Sequence, residues 1–184
     1  MKRIAINVLL IILVLQFANL KSFAENNNID KKKPRFTNSF SSDATELNIY
    51  TGMFDWSDHK QKSGLIGLQH QNDELFIEAD QGKFSPITGA FITSKNAFYI
   101  YTGVQAEYQL GSLSITPSFA PGYYGAGSGK DLGYPLEFKS EVQMSLDLGD
   151  SSRFGMSYNH ISNASLGTKN PGANSYMFNF LKQF

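Results

Sequence analysis

Cysteine is absent from the 184-residue chain. An exported protein without cysteine has no disulfide framework, no thiolate metal site and no lipidated cysteine at a processing site. Secreted globular domains of this size also fold without disulfides, so this absence leaves the fold open. Long apolar runs are absent beyond residue 24, where no stretch approaches the roughly 20 apolar residues that a membrane-spanning helix needs.

The first 24 residues have the pattern of a secretory signal peptide. Lys2 and Arg3 form a positive n-region, residues 4–17 are mostly apolar, and Ser22-Phe23-Ala24 supplies small residues at the positions that a signal peptidase recognises. The alternative is a membrane anchor helix, for which the apolar run is too short. The sequence therefore predicts an exported protein with a cleaved signal peptide at residues 1–24.

The charge balance argues against nucleic acid as a partner. Removal of residues 1–24 takes away three basic residues and no acidic one, so 16 basic and 16 acidic residues become 13 and 16, a net charge of −3. A nucleic-acid-binding protein needs a basic surface. The basic stretch at 31–35 lies in a polar segment, residues 25–43, which is predicted to be a flexible periplasmic leader.

A two-residue alternation recurs through residues 44–184, in segments of about ten residues separated by turn residues. It is clearest at 136–148, where acidic, basic and polar residues occupy one face. The other face carries Leu136, Phe138, Val142, Met144, Leu146 and Leu148. This pattern predicts an all-β fold, an eight-stranded antiparallel transmembrane β-barrel of a Gram-negative outer membrane, with an interior filled by side chains.

The eight predicted strands lie at about 46–54, 63–71, 85–94, 97–110, 112–122, 135–149, 152–162 and 174–184. Pro117 and Pro121 weaken the fifth, since proline removes a donor from the ladder. With an even strand number both chain ends lie on the periplasmic side. Connections near 55–62, 123–134 and 162–173 are then at the outer surface. The last strand is aromatic and ends in Phe184, and a terminal aromatic residue of this kind resembles the assembly signal of outer-membrane barrels.

One strand carries a pair of chemically active side chains. In the seventh strand His160 and Ser162 continue the apolar row of Phe154, Met156 and Tyr158, which should face lipid. A histidine and a serine two residues apart on one strand face have the minimum geometry for a hydroxyl nucleophile activated by a base. The alternative is a polar pair that only contacts lipid headgroups.

The run His160-x-Ser162-Asn163-Ala164, followed by Asn170-Pro171-Gly172 and a closing aromatic strand, resembles the lipid A 3-O-deacylase family, known as PagL. The resemblance implies that His160 is the general base and Ser162 the nucleophile, acting on an ester-linked 3-hydroxyacyl chain of lipid A in the outer leaflet. It also matches Asn163 and Asn170 to positions around the oxyanion. As an alternative, each asparagine is a turn residue that caps its own loop.

The chain departs from the family pattern at one position. The family's triad acid is a glutamate fourteen residues after the histidine, and Asn174 occupies that position; residues 160–184 contain no Asp or Glu. Asn174 shares parity with Tyr176 and Phe178, which places it on the lipid side of the strand that pairs with the seventh. Its amide oxygen is then placed to orient His160, as in Cys-His-Asn enzymes, and activity is expected to be reduced rather than absent.

The leading hypothesis is therefore an outer-membrane serine esterase that trims lipid A or lipopolysaccharide, with His160, Ser162 and Asn174 as catalytic residues. A non-catalytic barrel with a structural, adhesive or surface role is the alternative, and a solute pore is disfavoured because eight strands leave no lumen. No metal site or cofactor is predicted, since His59 and His70 lack ligand companions at useful spacing. The sequence leaves homodimer formation open.

Overall fold

The computed structural model describes residues 45–58, 61–72, 77–79 and 82–184. The predicted signal peptide and leader lie outside these residues. The strands are β1 (Glu46–Phe54), β2 (Ser63–Gln71), β3 (Ile77–Ala79), β4 (Gly82–Thr93), β5 (Phe98–Leu110), β6 (Leu113–Gly125), β7 (Leu136–Gly149), β8 (Ser152–Ser162) and β9 (Ala173–Gln183). No helix in the described ranges is long and apolar enough to cross a membrane.

Eight of these strands close into an antiparallel barrel. Each pairs with the next along the barrel, β9 pairs with β1, and β2 pairs with β4, so the ring has no open edge among them. Strand β3 pairs only with the start of β4, as a three-residue hairpin extension that the sequence pattern did not predict. The predicted eight-stranded barrel is thus confirmed.

Strand β6 accommodates both of its prolines and is longer than predicted, extending to Gly125. Its pairing with β7 runs without a break past Pro117 and Pro121. On the β5 side, pairing skips the positions around these two residues and resumes in the same register. A missing proline N–H interrupts a ladder on one side only. The two prolines therefore weaken one seam without breaking the strand.

The outward face of the barrel is apolar. On β7 the predicted row is exposed, with Val142 and Met144 about half exposed. Strand β2, whose apolar residues fall on both faces in the sequence, is regular: Ile66 and Leu68 point outward, whereas Leu65 is buried inside. A barrel whose outer face is apolar and whose inner face is polar matches a hydrocarbon surrounding.

Charged side chains fill the middle of the barrel interior and one of its ends. Arg153 forms ion pairs with Glu46 and with Glu107, the latter at 2.9 Å. Lys139 lies 3.5 Å from Glu141 and 3.9 Å from the centre of the Tyr101 ring. Buried charges are tolerated when they are paired in this way.

An aromatic cluster fills the other end of the interior. Phe54 lies between the rings of Phe91 and Tyr124, with centroids at 5.7 and 6.0 Å, and Tyr99 packs on Phe91 at 5.7 Å. Three residues of the β8–β9 hairpin belong to the same buried cluster: Ile161, Ala173 and Met177. The cluster therefore fixes the end of β8 and the beginning of β9 from the inside.

The two ends of the barrel differ in their connections. We call the end with residues 55–62, 94–97, 126–135 and 163–172 the loop end, and the end with the turns at 111–112 and 150–151 the turn end. Gly111, Asp150 and Ser151 have positive φ in the turns, as does Asn96 in the tight connection at the loop end. These are the left-handed conformations that tight hairpins require.

Replacing Arg153 with alanine should destabilise the barrel, because Glu46 and Glu107 would then be left without their shared cation. Removing one partner of a buried ion pair costs about 3–5 kcal/mol. Urea unfolding in lipid micelles measures this, with Lys182→Ala as a control cation at the same end, half-buried and bonded to Ser152. Equal effects of the two substitutions would contradict the stabilising role of the interior network.

Candidate active site

The end of β8 presents two polar side chains on the lipid side of the barrel. Ile161 is fully buried in the aromatic cluster, and strand alternation therefore directs its neighbours His160 and Ser162 to the outer face. His160 is exposed and Ser162 is half-buried. The apolar row that continues below them, Tyr158, Met156 and Phe154, is exposed as predicted.

Asn174 lies directly across from His160. The two residues are register partners in the β8–β9 ladder, and Asn174 Oδ1 is 2.8 Å from His160 Nδ1. When the amide oxygen accepts, Nδ1 carries the ring proton and Nε2 keeps its lone pair. An imidazole in this tautomer can take a proton at Nε2, which is what a general base requires.

Ser162 lies one pleat from His160, yet no hydrogen bond joins these two described residues. Hydrogen bonds between a nucleophile and its base are often long until a substrate is bound. On the opposite side Ser162 is paired in register with Phe138 of β7, whose ring stacks on Phe119 of β6 at 6.0 Å. Ser162 is therefore flanked by His160 along its own strand and by an aromatic surface on the neighbouring strand.

Gly172 makes room for the imidazole. Its φ is +63°, and a Cβ built on it would lie 2.8 Å from His160 Cε1 and 3.3 Å from Nε2. A side chain there would collide with the ring and would also require a left-handed conformation that non-glycine residues rarely adopt. The glycine thus lets the backbone of the loop approach the edge of the ring.

The side chain of Asn163 is fully buried and belongs to the loop. Its Nδ2 donates to the carbonyl oxygens of Leu132 at 2.8 Å and Lys169 at 2.9 Å, and its Oδ1 accepts from the Ser165 N–H at 2.9 Å. Both amide protons are therefore already used. Asn163 follows Ser162 directly, but its side chain is bonded within and between the loops. This is the capping arrangement expected from the sequence as the alternative to a role around the oxyanion.

Asn170 is linked to the residue that follows Ser162, because it accepts a hydrogen bond from the Asn163 backbone. The Asn163 N–H, which follows Ser162 directly, donates to Asn170 Oδ1 at 3.1 Å. Asn170 is exposed, and within the described part of the chain its Nδ2 has no hydrogen-bond partner. The unused donor in this part of the loop is therefore Asn170 Nδ2, because the Asn163 N–H is already bonded to Asn170 Oδ1.

Two ion pairs tie the loops together at this end. Lys130 Nζ lies 2.7 Å from Asp55, a pair that is largely buried, and Lys169 Nζ lies 2.6 Å from Asp131 on the surface. The Lys169 ammonium, helped by the Gly133 N–H, holds the pKa of Asp131 below its ordinary value. Loop 163–172 is thus fastened to loop 126–135 just beside Asn170.

Trp56 also belongs to this neighbourhood, although no sequence pattern predicted that it would lie there. Its backbone N–H donates to the carbonyl oxygen of Asn174 at 3.0 Å. Its indole ring meets the ring of Tyr176 edge-on, with the centroids 6.4 Å apart. Trp56 and Asn174 are too far apart in the chain to form a spacing motif. The only feature of the sequence that marked Trp56 was that it is the single tryptophan. Within the described residues, no three His, Asp or Glu side chains are grouped to hold a metal ion.

The family comparison matches the model described as "Lipid A 3-O-deacylase (PagL)" to residues 43–182. The chain belongs to the PagL family. This membership supports outer-membrane lipid A deacylation, and ester hydrolysis in general, as its activity. Among curated proteins no sequence matches this chain.

One solved structure supports the same fold. The crystal structure of the outer membrane enzyme PagL has 18% identity and a TM-score of 0.57, covering 74% of this chain and 98% of that one. Two other barrels are less similar: a designed transmembrane β-barrel (6% identity, TM-score 0.48, 76% and 95% covered) and Neisserial surface protein A (10%, 0.47, 78% and 98%). At these identities the likeness concerns the fold alone.

Gly172→Ala should displace the His160 ring from Asn174, because the new methyl group would overlap Cε1. The chain has three histidines, so ¹⁵N NMR of histidine-labelled protein in micelles can follow the Nδ1–H resonance. We expect that resonance to shift or disappear. Gly64→Ala is the control, since a Cβ there meets nothing within 4 Å. An unchanged His160 signal in Gly172→Ala would refute the proposed packing.

Proposed function

We propose that this PagL family member is a serine esterase that hydrolyses the 3-O-linked hydroxyacyl ester of lipid A, with Ser162 as nucleophile, His160 as general base and Asn174 as the residue that orients the histidine. The observation that carries the proposal is the 2.8 Å contact of His160 Nδ1 with Asn174 Oδ1, one pleat from Ser162 on the lipid-facing side. A lipid ester reaches this face without leaving the membrane.

The reaction follows the logic of serine hydrolases. Ser162 Oγ attacks the ester carbonyl carbon while its proton passes to His160 Nε2, giving a tetrahedral oxyanion. Collapse of this intermediate breaks the bond to the sugar oxygen, which takes the proton from His160 and leaves. Water then attacks the acyl-serine, again losing a proton to His160, and the 3-hydroxy fatty acid is released as Ser162 regains its proton.

The oxyanion would be stabilised by a side-chain donor, the Nδ2 group of Asn170. The Asn163 N–H already points to the Asn170 side chain at 3.1 Å, and Asn170 Nδ2 is unused. In this proposal the Asn163 N–H holds the Asn170 amide in place for this role, while the buried side chain of Asn163 keeps the loop in shape. One well-placed donor of this kind contributes about 3–4 kcal/mol to the transition state.

The surfaces around His160 and Ser162 are suited to bind an acyl chain. Below His160 the exposed row on β8 is apolar, and beside Ser162 the stacked rings of Phe138 and Phe119 form a flat apolar surface. A fatty acyl chain that enters along either surface brings its ester to the level of Ser162. We infer that the loop end faces the cell exterior, so that the site meets the outer leaflet, where lipid A is located.

Asparagine in place of the family's glutamate is expected to reduce the rate of the reaction without abolishing it. An amide oxygen holds the imidazole in place, but it stabilises the imidazolium formed in the transition state less than a carboxylate does. The non-catalytic barrel remains the competing hypothesis, and activity measurements separate the two.

The proposed function predicts a change in lipid A that depends on Ser162. Lipid A from Gram-negative cells that express the wild-type chain should lack one 3-hydroxyacyl chain, whereas cells that express Ser162→Ala should keep it. Mass spectrometry of extracted lipid A measures this, after a check that both proteins reach the outer membrane in equal amounts. Identical lipid A in the two strains would rule out the esterase and leave a non-catalytic barrel.

Asn174 can be tested with a substitution of equal size. Asn174→Asp keeps the geometry of the 2.8 Å contact and adds a charge, so we expect kcat for lipid A deacylation to rise, by about tenfold for a gain near 1.4 kcal/mol. Asn174→Ala removes the acceptor and should lower kcat by tenfold or more. Asn174→Glu, the residue of the family pattern, is the third variant.

The same Asn174 variants can also contradict the orienting role proposed for this residue. If Asn174→Ala and Asn174→Asp both left kcat at the wild-type value, the orienting role of Asn174 would be wrong, even if Ser162 remained essential. Ser175→Ala is a matched control, because Ser175 is the next residue on β9 but is buried on the inner face.

A further inference from the structure

Trp56 is an exposed tryptophan beside the proposed catalytic residues. Its ring meets that of Tyr176, which faces lipid one pleat below Asn174, so the indole lies on the outer side of the barrel. About half of the residue is exposed. Strands β1 and β8 are separated only by β9, which places Trp56 roughly 10 Å from the His160 strand.

The position of Trp56 is fixed by contacts that do not involve the exposed part of its ring. Its backbone N–H donates to the carbonyl oxygen of Asn174, just past the last paired residues of β1 and β9, Met53 and Tyr176. The preceding residue, Asp55, is buried, has a φ of 53° and is paired with Lys130 at 2.7 Å. A strained, ion-paired turn therefore holds a large apolar side chain in an exposed place.

An esterase site on the lipid face has a selectivity problem. Every lipid of the leaflet can diffuse past His160 and Ser162, and a glycerophospholipid ester is chemically similar to an ester on a sugar. Ser162, His160 and Asn174 act on the ester group itself and cannot distinguish the alcohol to which it is attached. Selectivity therefore requires a group at the headgroup level, above the apolar row of the strands.

We propose that Trp56 is a substrate-binding residue that stacks on the sugar ring bearing the ester and so favours acylated sugars over glycerol esters. Tryptophan suits this level of a membrane, since its ring is apolar and its Nε1–H can meet polar groups. The distance from β1 to β8 is comparable to one sugar ring with its ester linkage. This inference rests on the proposed function, because it names what the same site selects.

Binding can be measured without catalysis, because Trp56 is the only tryptophan of the chain and is its own fluorescent reporter. Ser162→Ala protein in micelles would be titrated with 2,3-diacylglucosamine 1-phosphate and, separately, with a phosphatidylethanolamine of the same acyl length. We expect a saturable change in tryptophan emission with the sugar lipid alone. No change with the sugar lipid, or equal changes with both lipids, would overturn the inference.

A ratio of two kcat/KM values provides a second test, because a residue with a purely structural role would leave this ratio unchanged. For each variant, kcat/KM for the diacylglucosamine lipid is divided by kcat/KM for a p-nitrophenyl ester of the same acyl chain. Trp56→Ala should lower this ratio about tenfold, mainly through KM, and Trp56→Phe should lower it less. The control is Tyr123→Ala, an exposed aromatic residue at the same end that packs on Phe98 at 6.0 Å.

The outcomes separate this inference from the proposed function. If Trp56→Ala lowered both rates equally, the ratio would stay constant, and Trp56 would only support the fold. If the wild-type chain cleaved neither lipid nor ester, the esterase proposal would fail, while the fluorescence titration would still decide whether Trp56 contacts a sugar lipid.

Discussion

A strand that crosses hydrocarbon must pair every backbone N–H and C=O with a neighbouring strand, because no water is present to replace the missing partner. Closure of the barrel through β1–β9 and β2–β4 meets this requirement. It also fixes which side chains face lipid, since a slip by one residue would exchange the two faces. With Ile161 buried in the interior cluster, His160 and Ser162 can only face outward.

The proposed chemistry is therefore on the outside of a packed barrel, and the interior acts as its support. The aromatic cluster holds the β8–β9 hairpin from within, while the side chain of Asn163 joins loop 163–172 to the Leu132 carbonyl. The contact between His160 and Asn174 lies on the exposed outer face, where the two strands of this hairpin pair in register.

Local periodicity was enough to predict the eight barrel strands and to place Asn174 on the lipid side. The family resemblance singled out Asn174 as the partner of His160, and the hairpin register brings the two together. Periodicity could not predict β3, which is only a hairpin extension of β4, or the one-sided loss of pairing at Pro117. Contacts between loops, such as Trp56 with Asn174, carry no periodic signal, since they depend on how distant turns meet once the barrel has closed.

The central claim is that His160, oriented by Asn174, activates Ser162 on the lipid side. Labelling with a long-chain fluorophosphonate tests it most directly, since this reagent phosphonylates only a serine whose hydroxyl is activated by a base. The account predicts one adduct, on Ser162, in the wild-type protein embedded in lipid, and none in His160→Ala. No adduct in the wild type, or equal labelling in both proteins, would contradict it.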